Sequence, residues 1–288
     1  MPRFAKSRLL QFSQFHFAPF RSSPFRASLL TLTILIATPA LSRAVDAVPK
    51  PASAAPSSIV IGFVGGFVGH DNLRHGPVQL AQRIRQTLPK DTYVQVFENR
   101  RRKLAYDAIM RLLDTDHDGE LSAAEKARAH IILFGHSWGA AAAVLLARDL
   151  RRAGISVLLT VQVDSIAKSW QDDGVIPDNV AEAINFYQPH GILHGRTTIT
   201  AADPVKTQVL GNYLEDYEKN PIDCPDATWF ARVFTPGHMQ SECDPHVWSQ
   251  IESMVRQRLA GTDATASASA AVSTTTPSAI LSAASSKK

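Results

Sequence analysis

The sequence predicts an α/β protein in which a doubly wound, mostly parallel sheet is flanked by helices and forms a single domain. Short apolar runs alternate with amphipathic stretches between residues 58 and 260, a pattern typical of parallel strands joined by helices. This region is long enough for one domain with a complete hydrophobic core. The composition, 45% hydrophobic and 19% charged, is that of a globular protein and excludes a collagenous, coiled-coil or wholly disordered chain.

Five strands are predicted from the apolar runs, and four helices from the stretches with helical spacing. The predicted strands are Ile59–Val64, which precedes a glycine-rich turn, then Thr92–Glu98, His130–Phe134, Ser156–Val163 and the shorter Ala183–Tyr187. The predicted helices are Pro77–Thr87, Lys103–Leu113, the alanine-rich Gly139–Arg152 and the closing helix Pro245–Leu259.

Residues 1–44 have the composition of an export signal. Residues 1–26 carry five basic side chains and no acid, and Ser28–Leu41 is an apolar run too short to span a bilayer comfortably. Small residues around Ser42 offer a cleavage site. We therefore expect a periplasmic or secreted protein without a stable membrane span, and the alternative is a signal anchor that stays in the membrane.

Two further segments fall outside the predicted domain. Residues 45–57, rich in proline, alanine and serine, indicate a linker. Residues 261–288 are almost all alanine, serine and threonine, so they bury too little apolar surface to offset the entropy of ordering and predict a disordered tail. Without residues 1–44 the chain has 24 basic and 26 acidic side chains, so the apparent basicity comes partly from the leader and a nucleic-acid partner is not expected.

The chain has two cysteines, Cys224 and Cys243, and both lie inside the predicted domain. An even pair in an exported protein favours a disulfide, whereas a cytosolic chain would keep both thiols reduced. Neither their spacing nor their neighbours indicate a zinc site.

The segment Gly135-His136-Ser137-Trp138-Gly139 has the Gly-x-Ser-x-Gly spacing of a nucleophile elbow. It follows a predicted strand and opens a predicted helix. A serine at so tight a turn requires residues without side chains two positions before and after it. The start of the helix then presents its positive dipole end and the amide of Trp138 to an oxyanion, so Ser137 is predicted to be a nucleophile.

At this motif the chain resembles the α/β-hydrolase superfamily, and within it exported lipases and esterases whose elbow reads Gly-His-Ser-x-Gly. The resemblance implies a second oxyanion amide from the loop after the first strand. The usual His-Gly pair is absent there, and either Phe63 or Val64 is expected to donate the amide, since that role needs no side chain.

The resemblance also implies a histidine base near the end of the chain and an acid between Ser137 and that histidine. His238, in what reads as a loop, is preferred to His246 in the first turn of the closing helix. Asp164 ends the strand after the elbow helix, where parallel sheets bind ligands, and Asp203 is its alternative. The order Ser137, Asp164, His238 is the order of this superfamily.

Residues 114–125 match the twelve-residue calcium loop of an EF-hand. Asp114, Asp116 and Asp118 occupy positions 1, 3 and 5, Gly119 occupies position 6, and Glu125 stands at position 12 for bidentate ligation. Glu120 is expected to contribute its backbone carbonyl and Ser122 a water-bridged contact. Because only one such loop occurs, a single structural calcium is predicted rather than a sensor pair.

Together these features predict an exported serine hydrolase, similar to lipases and esterases, that cleaves a small-molecule or lipid ester through an acyl-enzyme. The competing hypothesis is a calcium-binding protein that keeps a hydrolase fold without catalysis. It places no constraint on whether Ser137, His238 and Asp164 meet within hydrogen-bond reach.

Overall fold

The computed structural model describes residues 56–273, whose centre is a six-stranded sheet in the order β2-β1-β3-β4-β6-β8. All five neighbouring pairs are parallel. The strands are β1 (Ser58–Val64), β2 (Thr92–Glu98), β3 (Ile131–His136), β4 (Val157–Val163), β6 (Val180–Tyr187) and β8 (Gln208–Leu214). A separate two-stranded sheet pairs β5 (Val175–Ile176) with β7 (Thr200–Ala201).

Helices cover both faces of the large sheet. The helices are α1 (Gly76–Thr87), α2 (Arg102–Leu113), α3 (Ala123–Ala127), α4 (Trp138–Arg152), α5 (Trp229–Phe234), α6 (Pro236–Cys243) and α7 (Pro245–Ser273), and a 3₁₀ turn spans Asn99–Arg101. Residues of α2 and α4 belong to one buried apolar cluster, and residues of α1 and α7 belong to another. The described chain is therefore a doubly wound α/β protein, as the sequence predicts.

The order of strands places a topological switch between β1 and β3. After β1 the chain moves outward to β2, and it then returns to the other side of β1 to form β3. Ligands of open α/β sheets bind in the crevice at such a point, outside the carboxyl ends of the strands. Here that crevice lies where Val64 and His136 end their strands.

The structure differs from the predicted elements at β8 and at the end of the closing helix. The strand β8 was not predicted, because its residues are mostly exposed and give no apolar run. The closing helix reaches Ser273 instead of ending at Leu259, and alanine, which is frequent in residues 261–273, has the highest helix propensity. The predicted domain bounds, with a tail from residue 261, stay a prediction. Residues 1–44, most of the linker 45–57, and residues 274–288 lie outside the described residues.

Between residues 56 and 273, no helix has the length and apolar character needed to cross a bilayer.

Candidate active site

Ser137 lies at the turn between β3 and α4, with φ 58° and ψ −129°. Such a conformation is rare for a residue with a side chain and costs on the order of 1–3 kcal/mol. A Cβ on Gly135 would lie 2.4 Å from the backbone of Gly139, and a Cβ on Gly139 would lie 2.3 Å from the carbonyl oxygen of Phe63. The glycines on both sides of Ser137 are therefore required for the turn to pack against β1.

The structure brings Ser137, His238 and Asp164 into one hydrogen-bonded chain. The Oγ of Ser137 lies 3.0 Å from Nε2 of His238, and Nδ1 of His238 lies 2.6 Å from Oδ2 of Asp164. All three side chains are buried, and Asp164 is fully so. Since a carboxylate only accepts hydrogen bonds, Nδ1 of His238 carries the proton and Nε2 is free to accept the hydroxyl proton of Ser137.

The two alternative residues lie elsewhere. His246 is exposed on α7, where Nε2 contacts the side-chain amide of Gln250. The carboxylate of Asp203 accepts a hydrogen bond from the amide of Val205 and pairs with Lys206.

The carboxylate of Asp164 is held by two residues besides His238. The amide of Gly195 donates to Oδ1 at 2.6 Å, and the side chain of Gln188 donates to Oδ2 at 2.9 Å. Burial raises the pKa of the Asp164 carboxyl, but the hydrogen bond and charge of His238 outweigh it, so the pKa is below its ordinary value. Asp164 is therefore ionised and fixes the tautomer of His238.

His238 lies in α6, a short helix, and not in the loop that the sequence predicts. Pro236 and Gly237 read as a loop signal, yet proline is well suited to the first turn of a helix. The disulfide between Cys224 and Cys243 closes the segment that carries α5 and α6. The predicted cysteine pair is thus formed, and it joins the end of α6 to the preceding loop.

A second histidine, His136, lies directly against His238. The ring centroids are 4.6 Å apart. Nε2 of His136 lies 3.2 Å from the carbonyl oxygen of His238, and Nδ1 lies 3.5 Å from the carboxylate of Glu242. Nε2 also lies 3.2 Å from the hydroxyl of Ser241, and the carboxylate of Glu242 on the other side of the ring favours the protonated form of His136.

Glu242 connects His136 to a third histidine. Nδ1 of His75 lies 2.7 Å from the same carboxylate oxygen, so the buried His136 and Glu242 and the half-buried His75 form a network beside the triad. Burial raises the pKa of Glu242, but the charge of His136 outweighs it and the pKa falls well below its ordinary value. Burial lowers the pKa of His136, and Glu242 reverses this to a net rise.

The sequence contains no spacing signal for this network. His75, His136 and Glu242 are brought together from the start of α1, the end of β3 and α6. Only His136 stands in a recognised motif, where it precedes Ser137.

The loop after β1 lies against Ser137. A Cβ on Gly65 would be 2.8 Å from Cβ of Ser137, and Gly66 adopts a positive φ of 49°. The side chain of Asn99 donates to the carbonyl oxygens of Val64 and Gly66 and fixes this turn.

The expected donors Phe63 and Val64 lie earlier, inside β1. Phe63 is paired with strands on both sides, and Val64 is paired with β2. The loop residue whose backbone borders the serine is Gly65, whereas the backbone of Phe63 and Val64 borders Gly139. Which of these amides donates to an oxyanion stays a prediction.

A recess of about 300 Å³ opens over Ser137. Apolar side chains form most of its exposed wall, and Ser137, His238 and the glycine loop close its base. Its apolar wall consists of Val68, Trp138, Ile166, Leu193 and Met239. A recess of this kind accepts the hydrocarbon part of a small ligand next to the serine hydroxyl.

The loop 114–125 joins α2 to α3 and folds around three carboxylates. One oxygen from each of Asp114, Asp116 and Asp118 lies within 4.8 Å of the others. The amide of Gly119 donates to Oδ2 of Asp114, and Oδ1 of that residue is buried without a hydrogen-bond partner. An orphaned carboxylate oxygen among two other carboxylates fits a bound cation, since hard cations prefer oxygen ligands.

The remaining predicted ligands are arranged differently. Glu125 does not belong to the cluster of three aspartates, because its carboxylate accepts hydrogen bonds from Thr115 and Ser122. Ser122 caps α3 through its hydroxyl. The side chain of Glu120 is exposed, which is compatible with a role for its backbone carbonyl alone.

Comparisons with known proteins give similarity of fold only. No protein-family model and no curated protein matches the sequence. Among solved structures, RedJ with a polyethylene glycol molecule in its active site is 13% identical over 70% of this chain and 93% of RedJ, with a TM-score of 0.33. A protein assigned as a hydrolase of the alpha/beta superfamily from Xanthomonas campestris is 17% identical over 55% of this chain and 86% of its own, with a TM-score of 0.29.

A further structure of the RedJ thioesterase, from the prodiginine biosynthetic pathway of Streptomyces coelicolor, has the same TM-score of 0.29 at 14% identity, over 57% of this chain and 88% of its own. The assignment of the fold therefore depends on the strand order of the chain itself, a parallel sheet with helices on both faces.

Proposed function

We propose that this chain is a serine hydrolase that cleaves carboxylic esters through an acyl-enzyme. The observation that carries the proposal is the position of His238, whose two ring nitrogens contact Ser137 and Asp164 at 3.0 and 2.6 Å. A serine in a strained turn, a neutral imidazole and a buried ionised carboxylate are the parts that nucleophilic acyl transfer needs.

The first half of the reaction transfers the acyl group to the serine. His238 takes the hydroxyl proton as the Oγ of Ser137 attacks the ester carbonyl carbon, and it then gives that proton to the departing alcohol. Asp164 stabilises the imidazolium formed between these steps. In the second half, water attacks the acyl-enzyme with His238 again as base, and the acid leaves.

The developing oxyanion requires donors that are already in place. The amide of Trp138 at the start of α4 and the backbone of Gly65 and Gly66 are the groups we assign to it. The hydrogen bonds from Asn99 to the glycine loop support this assignment, because they hold the loop in position before substrate arrives.

The test is a series of p-nitrophenyl esters of increasing acyl length with the wild-type protein and Ser137→Ala. We expect turnover by the wild-type protein only, and highest for short to medium chains because the recess has a volume of about 300 Å³. Retained turnover in Ser137→Ala, with a native circular dichroism spectrum, would refute the assignment of the nucleophile.

We also propose that a structural calcium ion binds the loop 114–125, with Asp114, Asp116 and Asp118 as side-chain ligands. Glu125 is expected to join them by leaving its contacts with Thr115 and Ser122. When bound, the ion neutralises the three carboxylates and takes no part in the chemistry. Export through residues 1–44 is part of the same proposal, since extracellular calcium fills even a weak site.

A further inference from the structure

A second cavity, of about 730 Å³, lies between α2, α4 and the loop after β4. It adjoins the catalytic recess at two places. Asn99 lines the cavity and its side chain donates to the carbonyl oxygen of Gly66, which lines the recess. Lys168 also lines the cavity, and its Nζ lies 5.4 Å from the ring centroid of Trp138, the residue after the nucleophile.

The wall of this cavity is strongly basic. Five cationic side chains line it, and Asp149 is the only acidic residue among the lining residues. The five are Arg100, Arg102, Lys103, Arg152 and Lys168.

Most of these five cationic side chains lack a carboxylate partner of their own. Arg102 and Arg152 share the single carboxylate of Asp149. Lys103 pairs with Asp107, and Arg100 lies 3.9 Å from Glu98, which Arg101 contacts more closely. Among the described residues, Lys168 has no carboxylate partner and is half-buried between the rings of Trp138 and Trp170.

An ammonium without a carboxylate partner and an arginine pair that shares one carboxylate leave a net positive field in a concave space open to solvent. Such a field concentrates anions, and arginine side chains bind phosphate through paired N–H donors. The catalytic recess, in contrast, has an apolar wall suited to an acyl chain. The two spaces therefore fit the two halves of one substrate.

We propose that this cavity is the leaving-group subsite and that the preferred substrate is an ester whose alcohol part carries a phosphate. The inference rests on the proposed esterase function. In the reaction one water molecule is consumed, the bond between the acyl carbon and the ester oxygen breaks, and a carboxylic acid and a phosphate-bearing alcohol are released. The acyl chain lies in the recess, and the phosphate lies near Lys168 and Arg152.

The test compares three esters with the same acyl group: 1-butyrylglycerol, its 3-phosphate and the butyryl ester of glyceric acid. We expect kcat/KM for the phosphate ester to exceed that for the neutral ester by about tenfold, the size of one charge-assisted contact. The carboxylate ester is expected to lie between the two. High salt should shrink the difference, since ions screen exposed charge.

Lys168→Glu and Lys90→Glu form the variant pair, since both change the net charge by the same amount. Lys90 is exposed just before the amino end of β2, whereas Asn99 and Arg100 of the cavity follow its carboxyl end. Lys168→Glu should reverse the preference between the phosphate and neutral esters, whereas Lys90→Glu should keep it. Calorimetric titration of Ser137→Ala with 1-butyrylglycerol 3-phosphate measures the same contact without turnover.

The outcomes separate the two proposals. Hydrolysis of the neutral ester with equal kcat/KM for all three substrates would overturn the subsite and leave the esterase function intact. Binding of the phosphate ester by Ser137→Ala that Lys168→Glu abolishes, with no hydrolysis by the wild-type protein, would keep the subsite and overturn the esterase function. Absence of binding to Ser137→Ala would also count against the subsite.

Discussion

The imidazole of His136 packs against the imidazole of His238 in a tilted arrangement, with 4.6 Å between ring centroids and 32° between ring planes. The carboxylate of Glu242 beside Nδ1 raises the pKa of His136 against the effect of burial, so the protonated form of this ring is favoured. A positive charge at this distance disfavours a second one on His238. His136, the residue before the nucleophile, therefore favours the neutral form of His238 and contacts the backbone carbonyl of His238.

Replacing His136 by glutamine is expected to move the acidic limb of the kcat/KM profile to higher pH. Burial first, and then the charge of His136, lower the pKa of His238, and the base acts only when neutral. Without that charge the pKa rises, so activity is lost at a higher pH as the solution is acidified. The matched control is Ser241→Ala, which removes a hydroxyl that donates to the same carbonyl oxygen and contacts Nε2 of His136, without a change of charge. An acidic limb of the kcat/KM profile at the same pH in His136→Gln as in the wild-type protein would contradict this account.

Glu242→Gln should destabilise the protein by about 3–5 kcal/mol, since it leaves a buried imidazolium without its carboxylate. Because folding lowers the pKa of Glu242, its ionised form stabilises the folded protein at pH values above 4.5, the ordinary pKa of this group. That stabilisation is lost as the pH falls. Because folding raises the pKa of His136, its protonated form stabilises the folded protein at pH values below 6.5, the ordinary pKa of this group. That stabilisation is lost as the pH rises through the pKa of His136 in the folded protein.

Both contributions are complete between about pH 4.5 and 6.5, so the difference in unfolding free energy should be largest there. Urea titrations at several pH values measure it. Glu218→Gln is the control, because Glu218 is an exposed partner of His190 and surface pairs contribute little. A loss no larger than that of Glu218→Gln across the range would show that the buried network does not stabilise the fold.

Asp164→Asn is expected to lower kcat by roughly three to four orders of magnitude, because an amide at this position favours the wrong tautomer of His238. Asp203→Asn, in contrast, should leave kcat unchanged, since Asp203 contacts only Val205 and Lys206 with its side chain. Steady-state kinetics on a p-nitrophenyl ester distinguish the two. A large loss of kcat in Asp203→Asn, with no loss in Asp164→Asn, would show that Asp203 and not Asp164 is the acid of the triad.

Calcium should raise the melting temperature, and chelator should lower it again. A ligand at a hundred times its Kd stabilises by about 2.7 kcal/mol, which is on the order of 5–10 °C for a domain of this size. Asp116→Asn should remove most of this difference, whereas Asp107→Asn, on the exposed part of α2, should keep it. Identical melting curves in calcium and chelator would remove the metal from the proposal.

The sequence predicts those strands and helices whose apolar residues recur with a regular spacing. The alternation of apolar runs and amphipathic stretches located β1, β2, α2 and α4 to within one or two residues, because buried strands and amphipathic helices differ in periodicity. The spacing of glycines around Ser137 identified the elbow, since steric exclusion is a local constraint.

The remaining features depend on tertiary contacts. The residues of β8 are mostly exposed, so no apolar run marks the strand. The contact of Glu242 with His75 and His136 joins segments far apart in the chain, and no spacing within one segment encodes it. Likewise, the sequence offered Asp164 and Asp203 as candidate acids, and only the position of α6 distinguishes them.

The claim on which the account depends is that the hydroxyl of Ser137 is activated by His238. Reaction with a fluorophosphonate, followed by peptide mass mapping, tests it most directly. We predict one covalent adduct, on Ser137, formed rapidly by the folded wild-type protein, absent in Ser137→Ala and slowed by orders of magnitude in His238→Gln. An unlabelled Ser137 in the folded protein, or equal labelling in His238→Gln, would contradict the catalytic assignment.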